Sequence, residues 1–248
     1  MRTSVDLNAD VGEGCGDDAA LIEIVSSVNI ACGGHAGDER SMVAALEHAR
    51  QYGASAGAHP SYPDREGFGR RPIDISDCAL GDAVAGQIRD LARLGGETGV
   101  SLTHVKPHGA LYHAAAETES IAEILVQCTA SIAPGAWIVG PPDSALQTAA
   151  RSKGLRFLAE GFADRAYGGD GRLVARDRPG AVLACSIDRT EQAVALALSD
   201  QVVTIDGQTR ALAVDTICLH GDTPGAVQSS RDIRSALIAA GLEIRSPF

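Results

Sequence analysis

Short β-prone runs recur along the chain, and each one ends in a cluster of polar residues and glycines. Segments with helical spacing of apolar residues separate these runs, so strand and helix alternate. The runs lie near residues 5, 29, 56, 104, 138, 158 and 217, and the helical segments span Asp38–Gln51, Asp77–Leu94, Glu119–Ile132, Asp143–Ser152, Thr190–Leu198 and Gly225–Ala240. This pattern predicts an α/β fold with about seven parallel strands. A closed β/α barrel and an open doubly wound sheet both fit it, and we favour the barrel.

Local capping residues predict where several helices begin and end. Asp38 and Asp143 are placed as N-caps, where a side-chain oxygen accepts from the free N–H groups of the first turn. Gly53, Gly154 and Gly241 are placed as helix stops. These boundaries therefore have a local chemical cause.

One segment departs from the alternation of strands and helices. Residues 202–205 and 208–214 are β-prone and flank Asp206-Gly207, a dipeptide typical of tight hairpin turns. We expect a β-hairpin there. Since no linker, low-complexity tract or repeat divides the chain, residues 1–248 are predicted to form a single barrel domain.

Composition narrows the compartment and the class of partner. The formal net charge is −11 and Lys/Arg runs are absent, which disfavours binding to nucleic acid or to an anionic membrane. No stretch of about 18 apolar residues is free of charge, so we expect no membrane span, and the first residues do not resemble a secretory signal. The cysteines form no Cys-x-x-Cys pair, and we expect reduced thiols packed as small hydrophobic groups in a cytoplasmic protein. They are Cys15, Cys32, Cys78, Cys128, Cys185 and Cys218.

Polar side chains alternate along the first strand. Asp6, Asn8 and Asp10 fall on one face, which would point into a barrel, and Glu13 follows in the next loop. A charged group inside a barrel needs a partner or a task. We interpret Asp10 as functional. For Asp6 and Glu13, hydrogen bonding to neighbouring loops or exposure to solvent is an open alternative.

Four of the seven histidines follow different strands. His35, His59, His108 and His220 each have Gly or Pro beside them, which allows backbone and ligand to approach closely. Such convergence suits acid–base catalysis or metal ligation. Any one of them alone would fit a structural role, but the shared position of all four indicates a site. The others are interpreted as a packed strand residue or as ordinary helix residues: His104, His48 and His113.

Lys106 ends an apolar run and is followed at once by Pro107-His108-Gly109. The chain holds two lysines against nineteen arginines, so a lysine here indicates that a compact ammonium is needed. It would stabilise an oxyanion or a phosphoryl group, or act as a base or Schiff-base amine if desolvation lowered its pKa. The alternative is a buried ion pair with Asp10 or Glu160.

The last candidates that the residues themselves suggest are three arginines and one cysteine. Arg70, Arg71 and Arg165 are suited to gripping a carboxylate or phosphate through two parallel hydrogen bonds, although Arg71 also fits a surface charge. Cys32 near His35 raises a thiol nucleophile as a minor alternative, because buried thiols outnumber catalytic ones. The sequence has no Gly-x-x-x-x-Gly-Lys-Ser/Thr loop, so no standard phosphate loop would hold ATP.

Taken together, the strand-end motifs resemble the LamB/YcsF family over nearly the whole chain and in order. The motifs run from Asp6 to Glu13, Asn29 to Asp38, Gly57 to Asp64, Val105 to Tyr112, Glu160 to Arg165 and Cys218 to Asp222. The resemblance implies a seven-stranded β/α barrel of the glycoside hydrolase/deacetylase type. It also implies ATP-dependent opening of 5-oxo-L-proline to L-glutamate, performed with two further 5-oxoprolinase subunits. One departure is His113, where the family pattern has Asn.

The resemblance and the candidates above give one set of expected roles. Asp10 or a histidine activates water, Lys106 neutralises a phosphate or oxyanion, and an arginine fixes the substrate carboxylate. The expected catalytic residues are Asp10, Lys106, His108, His35 and His59, and the expected substrate-binding residues are Asn8, Arg70, Glu160, Arg165, His220 and Asp222. The complex would use ATP with Mg²⁺. We expect no tightly bound metal, because activation by ATP reduces the need for a Lewis acid.

Two alternatives from other classes remain. The barrel also fits a metal-dependent hydrolase or deacetylase working alone, with Asp10, His35 and His59 as ligands. The chain also fits a non-catalytic binding subunit whose partners carry the catalysis.

Overall fold

The computed structural model describes residues 2–15, 17–223 and 225–248. Seven parallel strands close into a barrel, in the order β1-β2-β3-β4-β5-β6-β9, with β9 pairing back onto β1. The strands are β1 (Ser4–Val11), β2 (Ser27–Ala31), β3 (Ser55–His59), β4 (His104–Val105), β5 (Trp137–Gly140), β6 (Phe157–Phe162), β7 (Gln201–Val203), β8 (Thr209–Ala211), β9 (Thr216–Leu219) and β10 (Glu243–Ile244). The seven-stranded β/α barrel is therefore confirmed, and the open sheet is wrong.

Helices pack around the outside of the barrel. They are α1 (Asp18–Ile24), α2 (Glu39–Tyr52), α3 (Asp77–Thr98), α4 (Gly109–Glu117), α5 (Glu119–Ile132), α6 (Ala145–Ser152), α7 (Ser186–Ser199) and α8 (Ala226–Ala239). All six predicted helices are present, with α7 starting four residues earlier than expected. Helices α1 and α4 were not predicted, because each spans fewer residues than the window of about 11–18 in which helical periodicity is read.

Most of the predicted caps are confirmed. The Asp38 side chain accepts from the Ser41 N–H, and Gly53 ends α2 in the left-handed region with φ 72°. Gly154 and Gly241 each follow the C-cap residue of a helix, α6 and α8 respectively. The Asp143 cap is wrong: the Ser144 hydroxyl caps α6 by accepting from Gln147 N, because it lies one residue nearer to the first turn.

The predicted β-hairpin is also present. Strands β7 and β8 pair antiparallel, with Val202 opposite Arg210, and the turn contains Gly207. The paired segments are shorter than the predicted runs, and they form a separate two-stranded sheet outside the barrel.

Alternation along β1 separates the barrel's apolar outside from its polar inside. Leu7, Ala9 and Val11 are fully buried in the core between strands and helices. Asp6 and Asp10 lie on the opposite face, inside the barrel, where the predicted period of two places them. Three side-chain hydroxyls donate to the Asp6 carboxylate, from Ser26 at 2.6 Å, Ser27 at 2.8 Å and Thr216 at 2.6 Å. The structural interpretation of Asp6 is therefore confirmed.

The cysteines only partly match the expectation. All six are free thiols, and Cys32 and Cys218 are buried as expected. Cys78 and Cys185 are exposed instead, because they lie at the solvent-facing starts of α3 and α7. Within the described ranges, no helix is both long and apolar enough to cross a membrane.

Candidate active site

A cavity of about 570 Å³ opens at the carboxyl end of the barrel, within the size range of small-molecule sites. Loops after different strands line it, as expected for a barrel whose chemistry collects at this end. Its charged and titratable lining residues include Asp10, Glu13, His59, Arg70, Lys106, His108, Arg165, Arg176 and His220. Most of the candidates named from the sequence therefore share one cavity.

Lys106 is buried at the centre of this site, directly after β4. Its Nζ lies 2.9 Å from Asp10 Oδ1 and 2.8 Å from Glu160 Oε1, with Cys218 Sγ at 3.2 Å. Burial alone would lower the pKa of Lys106, but Asp10, Cys218 and Glu160 raise it well above its usual range. The Asp10 and Glu160 carboxylates therefore favour the protonated form of Lys106. The alternative of a neutral lysine acting as base or Schiff-base amine is not supported, and the ion-pair alternative is confirmed.

Asp10 presents its two oxygens to different neighbours. Oδ1 accepts from Lys106 Nζ at 2.9 Å and from Asn29 Nδ2 at 2.8 Å. Oδ2 lies 3.3 Å from His59 Nε2 and 3.8 Å from His220 Nε2. Burial raises the pKa of Asp10, but His59 and Lys106 outweigh burial and hold the pKa well below its usual value. Lys106 and Asn29 thus hold Oδ1 of the Asp10 carboxylate, while Oδ2 faces the ring nitrogens of His59 and His220.

His220 is oriented by a second carboxylate, which sequence reasoning missed. Its Nδ1 lies 2.9 Å from Asp164 Oδ2, so Nδ1–H donates to Asp164 and Nε2 faces Asp10. Burial lowers the pKa of His220, but the Asp164 carboxylate outweighs it and raises the pKa above 6.5. A histidine held by a carboxylate on one nitrogen and open to the cavity on the other is suited to proton transfer. The available signal was the position of Asp164 two residues after β6.

Three further histidines converge with Glu13 on one side of the cavity. His35 and His108 stack in parallel with ring centroids 3.6 Å apart, and His59 meets both rings edge-on. Glu13 Oε1 lies 3.1 Å from His35 Nε2 and 3.3 Å from His108 Nδ1. Burial, together with the nearby His59, lowers the pKa of His35 to about 2 and holds the pKa of His108 well below 6.5. Glu13, left open from the sequence, belongs to this cluster.

Arginines at the cavity mouth converge on one carboxylate. Arg70 Nη2 donates to Asp222 Oδ2 at 3.0 Å, and Arg176 donates to the same oxygen. Two guanidinium groups thus share one carboxylate, which leaves one positive charge among the three side chains. Arg176 was not predicted, because it lies in a long loop without a recognisable motif. Arg71 is exposed and pairs with Asp64, so its interpretation as a surface charge is confirmed.

Three predicted substrate-binding residues also make structural contacts. Arg165 is buried, with its guanidinium donating to the carbonyls of Val174 at 2.7 Å and Ala181 at 3.3 Å. Asn8 lies below the cavity, with Nδ2 donating to Thr216 Oγ1 at 2.7 Å. Glu160 contacts the site through Lys106 and lines a neighbouring cavity of about 260 Å³.

Of the four remaining residues, Cys32, His104 and His48 do not line the cavity, whereas His113 does. Burial raises the pKa of Cys32 to about 12, so this buried thiol is a poor nucleophile. His104 is a packed histidine inside the barrel, as predicted, with Nε2 2.8 Å from Asn29 Oδ1. His48 and His113 lie on helices, also as predicted.

Known proteins resemble this chain over almost its full length. A 5-oxoprolinase subunit from Chloroflexus aggregans is 45% identical over 249 residues, covering 98% of this chain and 99% of that protein. A 5-oxoprolinase subunit from Nocardia farcinica is 42% identical over 247 residues and covers 98% of each. A model of the LamB/YcsF family matches residues 5–248.

Solved structures agree with these matches. The lactam utilization protein from Thermus thermophilus has a TM-score of 0.91 at 36% identity, covering 98% of this chain and 99% of that one. A protein from Enterococcus faecalis has a TM-score of 0.59 at 11% identity, covering 99% of this chain and 98% of that one, which is similarity of fold alone. With the motifs, the barrel and these matches in agreement from residue 5 to residue 248, the chain belongs to the LamB/YcsF family.

Proposed function

We propose that this chain is the LamB/YcsF-type subunit of an ATP-dependent 5-oxoprolinase, which opens 5-oxo-L-proline to L-glutamate and hydrolyses ATP to ADP and phosphate. The observation that carries the proposal is the pairing of two oriented groups at the cavity floor. Asp10, held by Lys106, and His220, held by Asp164, approach each other to 3.8 Å. The names of the relatives support a lactam as the substrate.

The substrate is a small anion, and the cavity mouth suits it. Arg176 and Arg70 share Asp222, so a substrate carboxylate arriving there meets one excess positive charge. Arginine is suited to this task because its planar fork matches a carboxylate. We therefore assign carboxylate binding to Arg176 with Arg70, and a positioning role to Asp222.

The lactam amide is unreactive, so ATP is used to activate it. Transfer of the γ-phosphoryl group to the carbonyl oxygen releases ADP, and water then adds to the ring carbon. Cleavage of the C–N bond leaves an acyl phosphate, and a second water converts it to the carboxylate and phosphate. In this sequence His220 gives a proton to the leaving amine, and Asp10 accepts a proton from water. The Lys106 cation holds Asp10 in place and keeps it ionised.

ATP and Mg²⁺ require more than this chain offers by itself. The sequence contains no phosphate loop, and its net charge of −11 does not favour a polyphosphate. We infer that two further subunits complete the nucleotide site, and we place the complex in the cytoplasm.

A reconstitution assay tests the proposal. Formation of glutamate and of phosphate is measured with 5-oxoproline and ATP, for the chain alone and for the chain with its two partner subunits. We expect both products only when the subunits are combined. Rapid product formation by the purified chain alone would contradict the multi-subunit proposal, and no product with any combination would contradict the substrate.

The two alternatives predict other outcomes in the same assay. A stand-alone metal-dependent hydrolase or deacetylase would act without ATP and without partners, and would need added metal. If the chain were a non-catalytic binding subunit, a variant without the Asp10 carboxylate would support product formation as well as the wild type does. Neither outcome is expected under the proposed function.

A further inference from the structure

Two histidines at the cavity wall have their protons fixed by backbone carbonyls. His59 Nδ1 lies 2.8 Å from the Lys106 carbonyl oxygen, and His108 Nε2 lies 3.0 Å from the Phe68 carbonyl oxygen. A carbonyl only accepts, so each of these nitrogens donates an N–H. In the neutral rings, His59 Nε2 and His108 Nδ1 are therefore left with lone pairs.

These two lone pairs face each other. His59 Nε2 and His108 Nδ1 are 3.0 Å apart, and Glu13 Oε1 lies 3.3 Å from the second and 4.0 Å from the first. His35 Nε2 joins them at 3.1 Å from the same Glu13 oxygen. Asp10 Oδ2, 3.3 Å from His59 Nε2, adds a further acceptor. With both rings neutral, these acceptor atoms repel one another unless a proton or a metal cation stands between them.

The spacing of the four atoms matches the ligand shell of a metal ion. Tetrahedral zinc with nitrogen and oxygen ligands at about 2.0–2.2 Å has neighbouring ligand atoms about 3.3–3.6 Å apart. Glu13 Oε1 lies 3.1 to 4.0 Å from the three imidazole nitrogens, and all four ligand atoms lie within 4.8 Å of one another. The group needs only small shifts to close around an ion.

The surrounding loop holds the cluster in this arrangement. The other ring nitrogen of metal-bound histidine usually donates to a carbonyl or carboxylate, as it does in His59 and His108. Phe68 adopts the left-handed region with φ 54°, which is strained for a bulky residue, and its carbonyl accepts from His108. Gly69 follows, where a Cβ would come within 2.9 Å of His35. The strained backbone at Phe68 and the close packing of Gly69 against His35 thus help to hold the His108 and His35 rings in place.

We propose that Glu13, His35, His59 and His108 bind one divalent transition-metal ion of the zinc class at the wall of the cavity. Three imidazoles and one carboxylate suit zinc, cobalt, nickel or iron, whereas Mg²⁺ prefers oxygen ligands. This ion would be distinct from the Mg²⁺ that accompanies ATP. From the sequence we expected no tightly held ion, because activation by ATP reduces the need for a Lewis acid. The convergence of Glu13 and His108 with the other two histidines is visible only in the structure. The proposal concerns binding and does not rest on the lactam reaction.

Metal titration of the full chain tests this site without any activity assay. The purified chain is stripped with a chelator, and Zn²⁺, Co²⁺ and Mg²⁺ are titrated separately by calorimetry. We expect one Zn²⁺ or Co²⁺ per chain, visible absorption bands of nitrogen-ligated Co²⁺, and much weaker binding of Mg²⁺. Failure of the wild-type chain to take up one Zn²⁺ or Co²⁺ would overturn the proposal.

Variants locate the bound ion. Glu13→Gln preserves the size of the side chain, and His59→Ala removes one imidazole; each should weaken Zn²⁺ binding at least about tenfold, since even residues that only support metal ligands cost that much. His48→Ala removes a histidine on α2, outside the cluster, and should leave affinity unchanged. Circular dichroism checks folding, and Glu13→Gln carries the test if His59→Ala does not fold. Wild-type affinity in a folded Glu13→Gln or His59→Ala variant would contradict the assignment.

Discussion

Lys106 Nζ lies 2.9 Å from Asp10 Oδ1 at the floor of the cavity, and both side chains are buried. The lysine comes from the end of β4 and the aspartate from β1, so the ion pair joins strands on opposite sides of the barrel. Glu160 contacts the same ammonium at 2.8 Å. One cation therefore compensates two buried carboxylates, and its loss affects both stability and the orientation of Asp10.

Replacement of Lys106 by methionine is expected to destabilise the fold by about 3–5 kcal/mol, because buried carboxylates lose their partner. Urea denaturation measures this. Lys153→Met is the matched control, since Lys153 is the second lysine and is exposed. The double variant Lys106→Met with Glu160→Gln should regain part of the stability but not the turnover. Full turnover in the double variant would contradict the positioning role of Lys106.

The Asp164–His220 pair is expected to make stability depend on pH. Because the pKa of His220 is raised, the protonated ring stabilises the fold fully below the unfolded pKa of about 6.5, and this contribution is lost as pH rises through the folded pKa. Asp164→Asn removes the carboxylate that accepts the His220 Nδ1 proton. The difference in free energy of unfolding between wild type and Asp164→Asn should therefore be larger at about pH 6 than at about pH 9. Exposed Asp143→Asn is the control, and a difference that does not vary with pH would contradict this account.

Substitution of Arg176 by glutamine should raise the KM for 5-oxoproline by about 10–100-fold, the equivalent of one hydrogen bond to a charged group. Turnover at saturating substrate should change less, because under the proposed function Arg176 contacts the substrate carboxylate rather than the reacting bond. Arg71→Gln is the control, since Arg71 is exposed and pairs with Asp64. Steady-state kinetics of the reconstituted complex give both constants. An unchanged KM in Arg176→Gln would remove the arginine from substrate binding.

Gly57 on β3 leaves the space that the His104 ring fills inside the barrel. A Cβ at Gly57 would lie 2.3 Å from His104, so Gly57→Ala should destabilise the protein by about 1–3 kcal/mol through overpacking. Gly86 on α3 has no neighbouring atom within 4 Å of such a Cβ, and Gly86→Ala should be neutral or stabilising. Thermal denaturation of both variants compares them. Equal melting temperatures would show that the barrel interior yields to accommodate the extra methyl group.

The barrel was predictable because short β-prone runs that stop at polar clusters alternate with helical segments along the chain. Those clusters meet at one end of the barrel, which explains why Asp10, Lys106 and three of the four strand-end histidines share the cavity. Helix α4 was also missed because it begins at Gly109, shortly after Pro107, and proline and glycine are typical of loops.

The sequence was less informative about which polar groups bond to each other. Arg165 lines the cavity as expected, but the sequence did not indicate that its guanidinium donates to two backbone carbonyls. Arg176 lies at the mouth without any motif to mark it. Hydrogen-bond partners depend on how separate loops fold over one another, and no local spacing encodes that.

Turnover of the complex carrying Asp10→Asn tests the central claim most directly. The variant chain is assembled with the two partner subunits, and formation of glutamate and of phosphate is measured at saturating 5-oxoproline and ATP. We predict that the complex assembles and that both rates fall by about a hundredfold or more, the scale of losing one acid–base group. Turnover equal to wild type in the assembled complex would contradict catalysis by this chain.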